Sequence, residues 1–241
     1  MCGRFQMTPE AWAAASRLAS VPDFIEIPLG FIYPGTPAGI LTAGKEGLTS
    51  RIARFGWKWN PDKRLQINAR CETVWNSPLF GSWMKKDRVV IPASCFFEWT
   101  PDKEMIRCME PGSKVLYMAG FLAENSFVIL TTAANASIRD IHHRMPLVLL
   151  PEQVAPWIQD EAAARRMTQL VPLGMETAPS LYQQPRLFGK CGDDGNPGIH
   201  QPEKAAAAAE QTGSDGLPAG GQNMNEKLIR EVQSVPGLQL V

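Results

Sequence analysis

Arg88-Val89-Val90-Ile91-Pro92-Ala93-Ser94-Cys95-Phe96-Phe97-Glu98-Trp99 is the stretch on which the fold class turns. It is apolar and rich in β-branched and aromatic side chains, a composition that reads as buried strand. Working outward, Lys114–Leu122, Ser126–Ala133 and Met145–Leu150 repeat the pattern. Two segments differ. Pro9–Leu18, preceded by Thr8 as candidate N-cap, reads as a short helix. Pro151–Val171 is helical in pattern, carrying Glu152, Trp157 and a run of alanines and arginines.

Beyond residue 203 the composition changes. The alanine run Ala205–Ala209 is followed by Gly, Gln, Ser and Pro, which cannot bury enough apolar surface to fold alone. Residues 1–202 are therefore expected to form one domain and residues 203–241 a disordered tail. Within that tail, Asn225–Val235 has the apolar spacing of one short amphipathic helix.

The chain of 241 residues is 44% hydrophobic and 20% charged, ordinary globular values. Its formal net charge of zero excludes a polycationic nucleic-acid coat but not a local basic groove. Residues 51–88 carry nine Lys/Arg against three acids, which fits a solvated face as well as an anion site. Five cysteines without a C-x-x-C pair, and three histidines, show no zinc-ligand spacing. No apolar h-region follows Met1–Phe5 and no apolar run reaches about 18 residues, so neither a signal peptide nor a membrane span is expected. A reduced cytoplasmic setting, with no cofactor and no metal, is the expectation.

Cys2 is the second residue. Once Met1 is removed, an N-terminal cysteine offers an α-amine and a thiol on adjacent carbons, titrating ordinarily near ~8 and ~8.5. The pair can close a thiazolidine on an aldehyde, or act as nucleophile plus internal base on an amide. Three further clusters place polar groups in apolar or turn-forming surroundings. In Ile67-Asn68-Ala69-Arg70-Cys71-Glu72-Thr73, Asn68 is also a turn former, and Arg70 and Glu72 are also a pair on one strand face. In Cys95-Phe96-Phe97-Glu98-Trp99, a core-facing Glu98 would be raised in pKa and suited to acid–base work, whereas a solvent-facing one would mean little. In Ile141-His142-His143-Arg144-Met145-Pro146, a histidine at a strand entrance reads either as a proton donor beside an anion site or as a structural residue.

In this order, and together with Met1-Cys2-Gly3-Arg4-Phe5, Tyr33-Pro34-Gly35-Thr36 and Phe55-Gly56-Trp57 with Trp59, these motifs resemble the SRAP family. Its members, the SOS-response-associated peptidase-like proteins, crosslink to abasic sites in single-stranded DNA. The resemblance runs from residue 2 to about residue 200. It implies a mixed α+β domain built on a curved, mostly antiparallel sheet or open barrel with helices outside. It implies Cys2 as the residue that closes a thiazolidine on the lesion aldehyde. Asn68 would orient the cysteine amine or the sugar, Glu98 would serve as acid–base, and His142 would protonate or polarise the sugar O4′. Arg4, Arg70 and Arg144 match phosphate-contacting positions, Pro34 and Trp59 those that wedge and kink the strand, and Trp99 and Thr131 complete the expected DNA-binding set. Aromatic residues Phe55, Trp57, Trp59, Trp75 and Trp83 interleave the basic segment, and at least half of the tryptophans are expected in the core. The partner implied is single-stranded DNA bearing abasic sites, bound by a monomer that becomes nucleoid-associated on DNA.

Departures from the family pattern are the shortened Phe55–Trp59 stretch, the residues around Phe31 before the Pro34 turn, and Gln183–Asp194, where the family's C-terminal pattern is not recognisable. Two rival readings share parts of the site. One is an N-terminal-cysteine peptidase or amidase; the other is a non-enzymatic single-strand binding module.

Overall fold

Residues 2–19 and 26–180 are described by a computed structural model. In chain order the elements are β1 (Phe5–Met7), α1 (Pro9–Ser16), β2 (Gly30–Ile32), β3 (Pro37–Gly44), β4 (Gly47–Phe55), β5 (Asn68–Arg70), α2 (Cys71–Val74), α3 (Gly81–Lys86), β6 (Arg88–Ala93) and β7 (Cys95–Trp99). They continue with β8 (Met105–Met109), β9 (Leu116–Ala123), β10 (Ser126–Ala133), β11 (Arg144–Pro146), β12 (Val148–Leu149), a 3-10 turn (Pro151–Gln153), α4 (Val154–Gln159), α5 (Glu161–Met167) and β13 (Glu176–Pro179). The architecture is mixed α+β, with two largely antiparallel sheets and few helices, as expected from the resemblance.

The run 88–99 is not one strand. It breaks at Ser94, whose amide and hydroxyl both donate to the Gln6 carbonyl, and its halves enter different sheets. β6 belongs to the larger sheet. Its ladders run from β10 through β4, β3, β6 and β9 and return to β10, so the curved sheet closes on itself. β7 belongs to the other sheet, of order β13-β8-β7-β1-β2, antiparallel throughout. Within the β9–β10 hairpin the backbones lie very near: a Cβ at Gly120 would stand 2.6 Å from the Val128 carbonyl oxygen. Only glycine fits such an approach.

Local chemistry sets the helices. Thr8 caps α1 through its hydroxyl, which accepts from the Ala11 amide, and Pro9 occupies the first turn. The helical segment 151–171 divides because Asp160 Oδ1 accepts from the amides of Ala162 and Ala163, ending α4 and starting α5. The expected strand Met145–Leu150 likewise divides into β11 and β12, which pair with β10 and β9 respectively. The tail from residue 203, its helix at Asn225–Val235 and the Gln183–Asp194 stretch lie outside the described residues.

The core joins the two sheets through phenylalanines. Phe5 packs on Phe55 at 5.6 Å and Phe127 at 6.4 Å between ring centroids, and Phe55 stacks on Phe127 at 5.2 Å. Burying one such side chain contributes roughly 1.5–3 kcal/mol, so Phe5 pins the start of the chain against the barrel. Of the aromatics interleaving the basic segment, Phe55 and Trp57 are buried, Trp75 and Trp83 are partly buried against the core, and Trp59 is 51% exposed. Arg88 does not belong to a basic surface at all: it is buried, and backbone carbonyls surround its guanidinium.

Candidate active site

β1 is stitched to β7 by the pairing Phe5↔Phe96 and by the Phe97 amide, which donates to the Arg4 carbonyl at 3.0 Å. With Phe5 anchored, residues 2–4 have little freedom, and Cys2 is carried into the interior with no exposed surface. Its thiol lies 3.7 Å from the Arg4 carbonyl oxygen. From β5, Asn68 Nδ2 donates to the Cys2 carbonyl at 3.0 Å. The other amide atom, Asn68 Oδ1, is buried and accepts no hydrogen bond among the described residues.

Glu98 faces the core and not solvent. Side chains two apart on a strand share a face, so Glu98 points the same way as the buried Phe96, and it is 1% exposed. Register places Cys108 of β8 opposite Phe96 and Ile106 opposite Glu98, so Cys108 is a diagonal neighbour of the carboxyl on that face. Burial raises the Glu98 carboxyl above the ordinary carboxylate range. Burial, and then the Glu98 charge, push the Cys2 thiol well above its usual value. The same two causes push Cys108 up to about 12. Cys2 and Glu98 therefore share one desolvated setting, in which the sulfur is held as the thiol and the carboxyl binds its proton more tightly than an exposed glutamate does.

His142 ends the loop between β10 and β11. Asn135 braces that loop, its Nδ2 donating to the Pro172 and Leu173 carbonyls and its Oδ1 accepting from Ser137. His142 Nδ1 lies 3.0 Å from the Arg144 amide and 3.1 Å from the Arg144 carbonyl oxygen, so the Arg144 backbone holds the ring in place and suits either tautomer of the neutral form. Burial lowers the His142 pKa and favours that neutral form. His143, exposed, stacks on it with ring centroids 4.4 Å apart.

The expected DNA-contacting residues fall into distinct settings. Pro34 is exposed at the tip of the turn Tyr33–Thr36, where Gly35 takes a φ of 89° and the Thr36 amide donates to the Tyr33 carbonyl. Trp59 is exposed with the Lys63 ammonium over its ring, and Arg70 is exposed at the end of β5. Arg4 is buried: its guanidinium lies over Tyr33 at 4.6 Å and Trp99 at 5.3 Å, and its Nη1 points to the Met105 sulfur. Thr131 has no exposed surface; its hydroxyl donates to the Ala69 carbonyl and its carbonyl accepts from Arg144. Arg144 grips Glu72 through both Nη atoms, at 2.6 and 2.9 Å. Glu72 thus stands on α2 and pairs across to β11, not with Arg70 along one strand.

Reading the sequence left Tyr33 and Cys108 unassigned. Tyr33 stood inside a quoted motif, but only the folded chain shows that its ring meets Arg4. Cys108 alternates with Ile106 on a strand whose middle residue, Arg107, masks the apolar pattern. Among the described residues, no group of three or more His, Cys, Asp or Glu side chains is gathered as a metal site, and no helix is long and apolar enough to cross a membrane. Two surface hollows of about 430 and 380 Å³ lie elsewhere, around Glu10 and Lys114, and include none of these site residues.

Comparison with known proteins adds a consistent picture. The family model described as SOS response associated peptidase (SRAP) matches residues 1–183. Abasic site processing protein YedK of Escherichia coli (strain K12) is 29% identical over 218 residues, covering 81% of this chain and 97% of YedK. Abasic site processing protein YoqW of Bacillus subtilis (strain 168) is 29% identical over 182 residues, covering 66% of this chain and 80% of YoqW. Among solved structures, a Bordetella bronchiseptica protein superposes with a TM-score of 0.63 at 19% identity, over 75% of this chain and 100% of that one. A Bacteroides thetaiotaomicron protein gives a TM-score of 0.58 at 20% identity, over 74% of this chain and 91% of its own. These two likenesses concern the fold alone.

Proposed function

The chain belongs to the SOS response associated peptidase (SRAP) family, and from that premise we propose that it processes abasic sites in single-stranded DNA by capturing them covalently through Cys2. The observation that carries this reading is the convergence on residue 2: Asn68 holds its carbonyl, and the buried Glu98 acts on its thiol. The names borne by YedK and YoqW supply the substrate class.

Removal of Met1 frees the Cys2 amine in this setting. An abasic sugar is a cyclic hemiacetal, so the reaction begins with ring opening. The Glu98 carboxylate accepts the proton of the C1′ hydroxyl, and His142 donates one to O4′ as the C1′–O4′ bond breaks. Such transfers contribute roughly 10²–10⁴-fold when well placed. The amine then adds to the aldehyde carbon, and the carbinolamine loses water: its hydroxyl takes the proton held by Glu98, and its nitrogen gives up the one that restores His142. The Cys2 sulfur closes on the imine carbon while its proton passes to nitrogen, leaving a thiazolidine and one released water. Because burial and Glu98 keep the sulfur protonated, the amine reacts first and the thiol second. Asn68 Oδ1 is placed to accept from the attacking amine or from a sugar hydroxyl.

Strand binding is assigned to Arg70, to the exposed Trp59 and Pro34, and to Arg144 once released from Glu72. Stacking on one aromatic contributes about 1–3 kcal/mol per base. Every group named comes from a single chain, which fits action as a monomer, associated with the nucleoid while on DNA. The test is incubation of protein lacking Met1 with a single-stranded oligonucleotide bearing one abasic site, read on a denaturing gel. A heat-stable shifted band, absent with Cys2→Ala, is expected. No band, or an undiminished one from Cys2→Ala, overturns the proposal; peptide turnover in the absence of DNA would favour the peptidase reading instead.

A further inference from the structure

Glu72 sits between two cations assigned to the strand. Its carboxylate receives Arg144 Nη1 at 2.6 Å and Nη2 at 2.9 Å, while Nη2 also reaches the Thr131 carbonyl and hydroxyl. The remaining donor on the inner side, Arg144 Nε, is buried without a hydrogen-bond partner. The Arg144 side chain is 12% exposed and that of Glu72 49%, so the carboxylate forms the outer, wetted half of the pair. Arg144 holds the Glu72 carboxyl below its usual range, with Arg70 contributing, so the pair is ionised at neutral pH. A planar carboxylate bound by two parallel N–H groups has the geometry with which arginine also takes a phosphate.

We propose that Glu72 is a specificity-determining residue: it occupies the phosphate position on Arg144 in the free protein and must be displaced by the incoming strand. The inference rests on the single-strand reading above. Undamaged strands then meet an arginine already neutralised, and their binding stays weak. A strand whose lesion sugar is also seated at Cys2 has further contacts with which to displace Glu72. Arg70, exposed beside the pair, provides the first encounter.

The test measures binding of an undamaged single-stranded oligonucleotide across a salt series for wild type, Glu72→Gln and Glu72→Asp, with thermal melts to verify folding. Glu72→Gln is expected to tighten binding about fivefold at low salt, the size set by one unit charge a few ångströms from a phosphate in water. Its salt dependence should steepen by about 0.7, the increment for one further phosphate on a single strand. Glu72→Asp, which keeps the charge, should retain the wild-type slope. An unchanged slope or weaker binding in Glu72→Gln overturns the proposal, as does a steepened slope in Glu72→Asp. Failure of the wild-type protein to bind the oligonucleotide at all would instead bring down the single-strand reading, and this inference with it.

Discussion

Arg88 and Glu98 stand at nearly opposite ends of one apolar run, and both are buried charged residues, yet the chain treats them in opposite ways. Arg88 opens β6 on the barrel side. Its Nε donates to the Trp157 carbonyl at 2.7 Å, Nη1 to Met84 and Lys85 at 2.9 and 3.0 Å, and Nη2 to Ile158 at 3.1 Å. Each such bond to a charged donor contributes about 1.5–3 kcal/mol net, and together they lash α3 and α4 to the barrel. Glu98 lies in β7 beyond the Ser94 break, on the face that holds Cys2 and Cys108, and its proton affinity is raised by desolvation. A buried charge ringed by backbone carbonyls holds the fold together. On the proposed mechanism, a buried acid beside a buried thiol is kept for chemistry, at some expense in stability.

The largest expected effect breaks this contrast on the Glu98 side. Glu98→Gln should slow crosslinking by about 10²–10⁴-fold at saturating DNA, the range for loss of a positioned acid–base group. A rate within threefold of wild type would remove Glu98 from the proton transfers. Next in size is Arg88→Leu, which leaves several buried carbonyls without their donor and should cost at least about 3 kcal/mol. For a domain of this size the melting temperature should fall by at least roughly 6 °C, while crosslinking well below the transition stays intact. An unshifted melt would show that the carbonyl cluster contributes little.

The smallest effect distinguishes the two residues by pH. Folded Glu98 keeps its proton above the ordinary carboxylate value near ~4.3, at which the unfolded chain releases its own. Wild-type stability is therefore penalised as pH rises through that value, and the penalty levels off above the raised native one. Glu98→Gln carries no such penalty. Its melting temperature relative to wild type should climb with pH across that window and be flat on either side, as followed by calorimetry. A difference independent of pH would mean that Glu98 titrates like an exposed glutamate.

Much of the fold was legible where burial is two-sided. The strands within 88–99, 116–123 and 126–133 announce themselves as largely apolar runs. Half-covered or short strands did not: β3 and β4 carry Gly, Thr and Arg among their apolar residues, and β1 and β5 have only three residues each. The division at Ser94 was invisible because it depends on the Gln6 carbonyl, supplied by a segment 88 residues away. At the site, residue types were readable, and their depth was not. Cys2, Asn68 and Glu98 converge in three dimensions, but no local pattern says that Arg4 is stacked under Tyr33 and Trp99, or that Arg144 is held by Glu72. Those pairings are long-range choices among several cations and acceptors that the sequence leaves equivalent.

The central claim, that residue 2 acts through both its amine and its sulfur, is tested most directly by the intact mass of the adduct with an abasic single strand. The account predicts the mass of the chain without Met1 plus the oligonucleotide minus one water, with the modification mapped to Cys2. A mass that retains Met1, or an adduct of equal yield from Cys2→Ala, would contradict it.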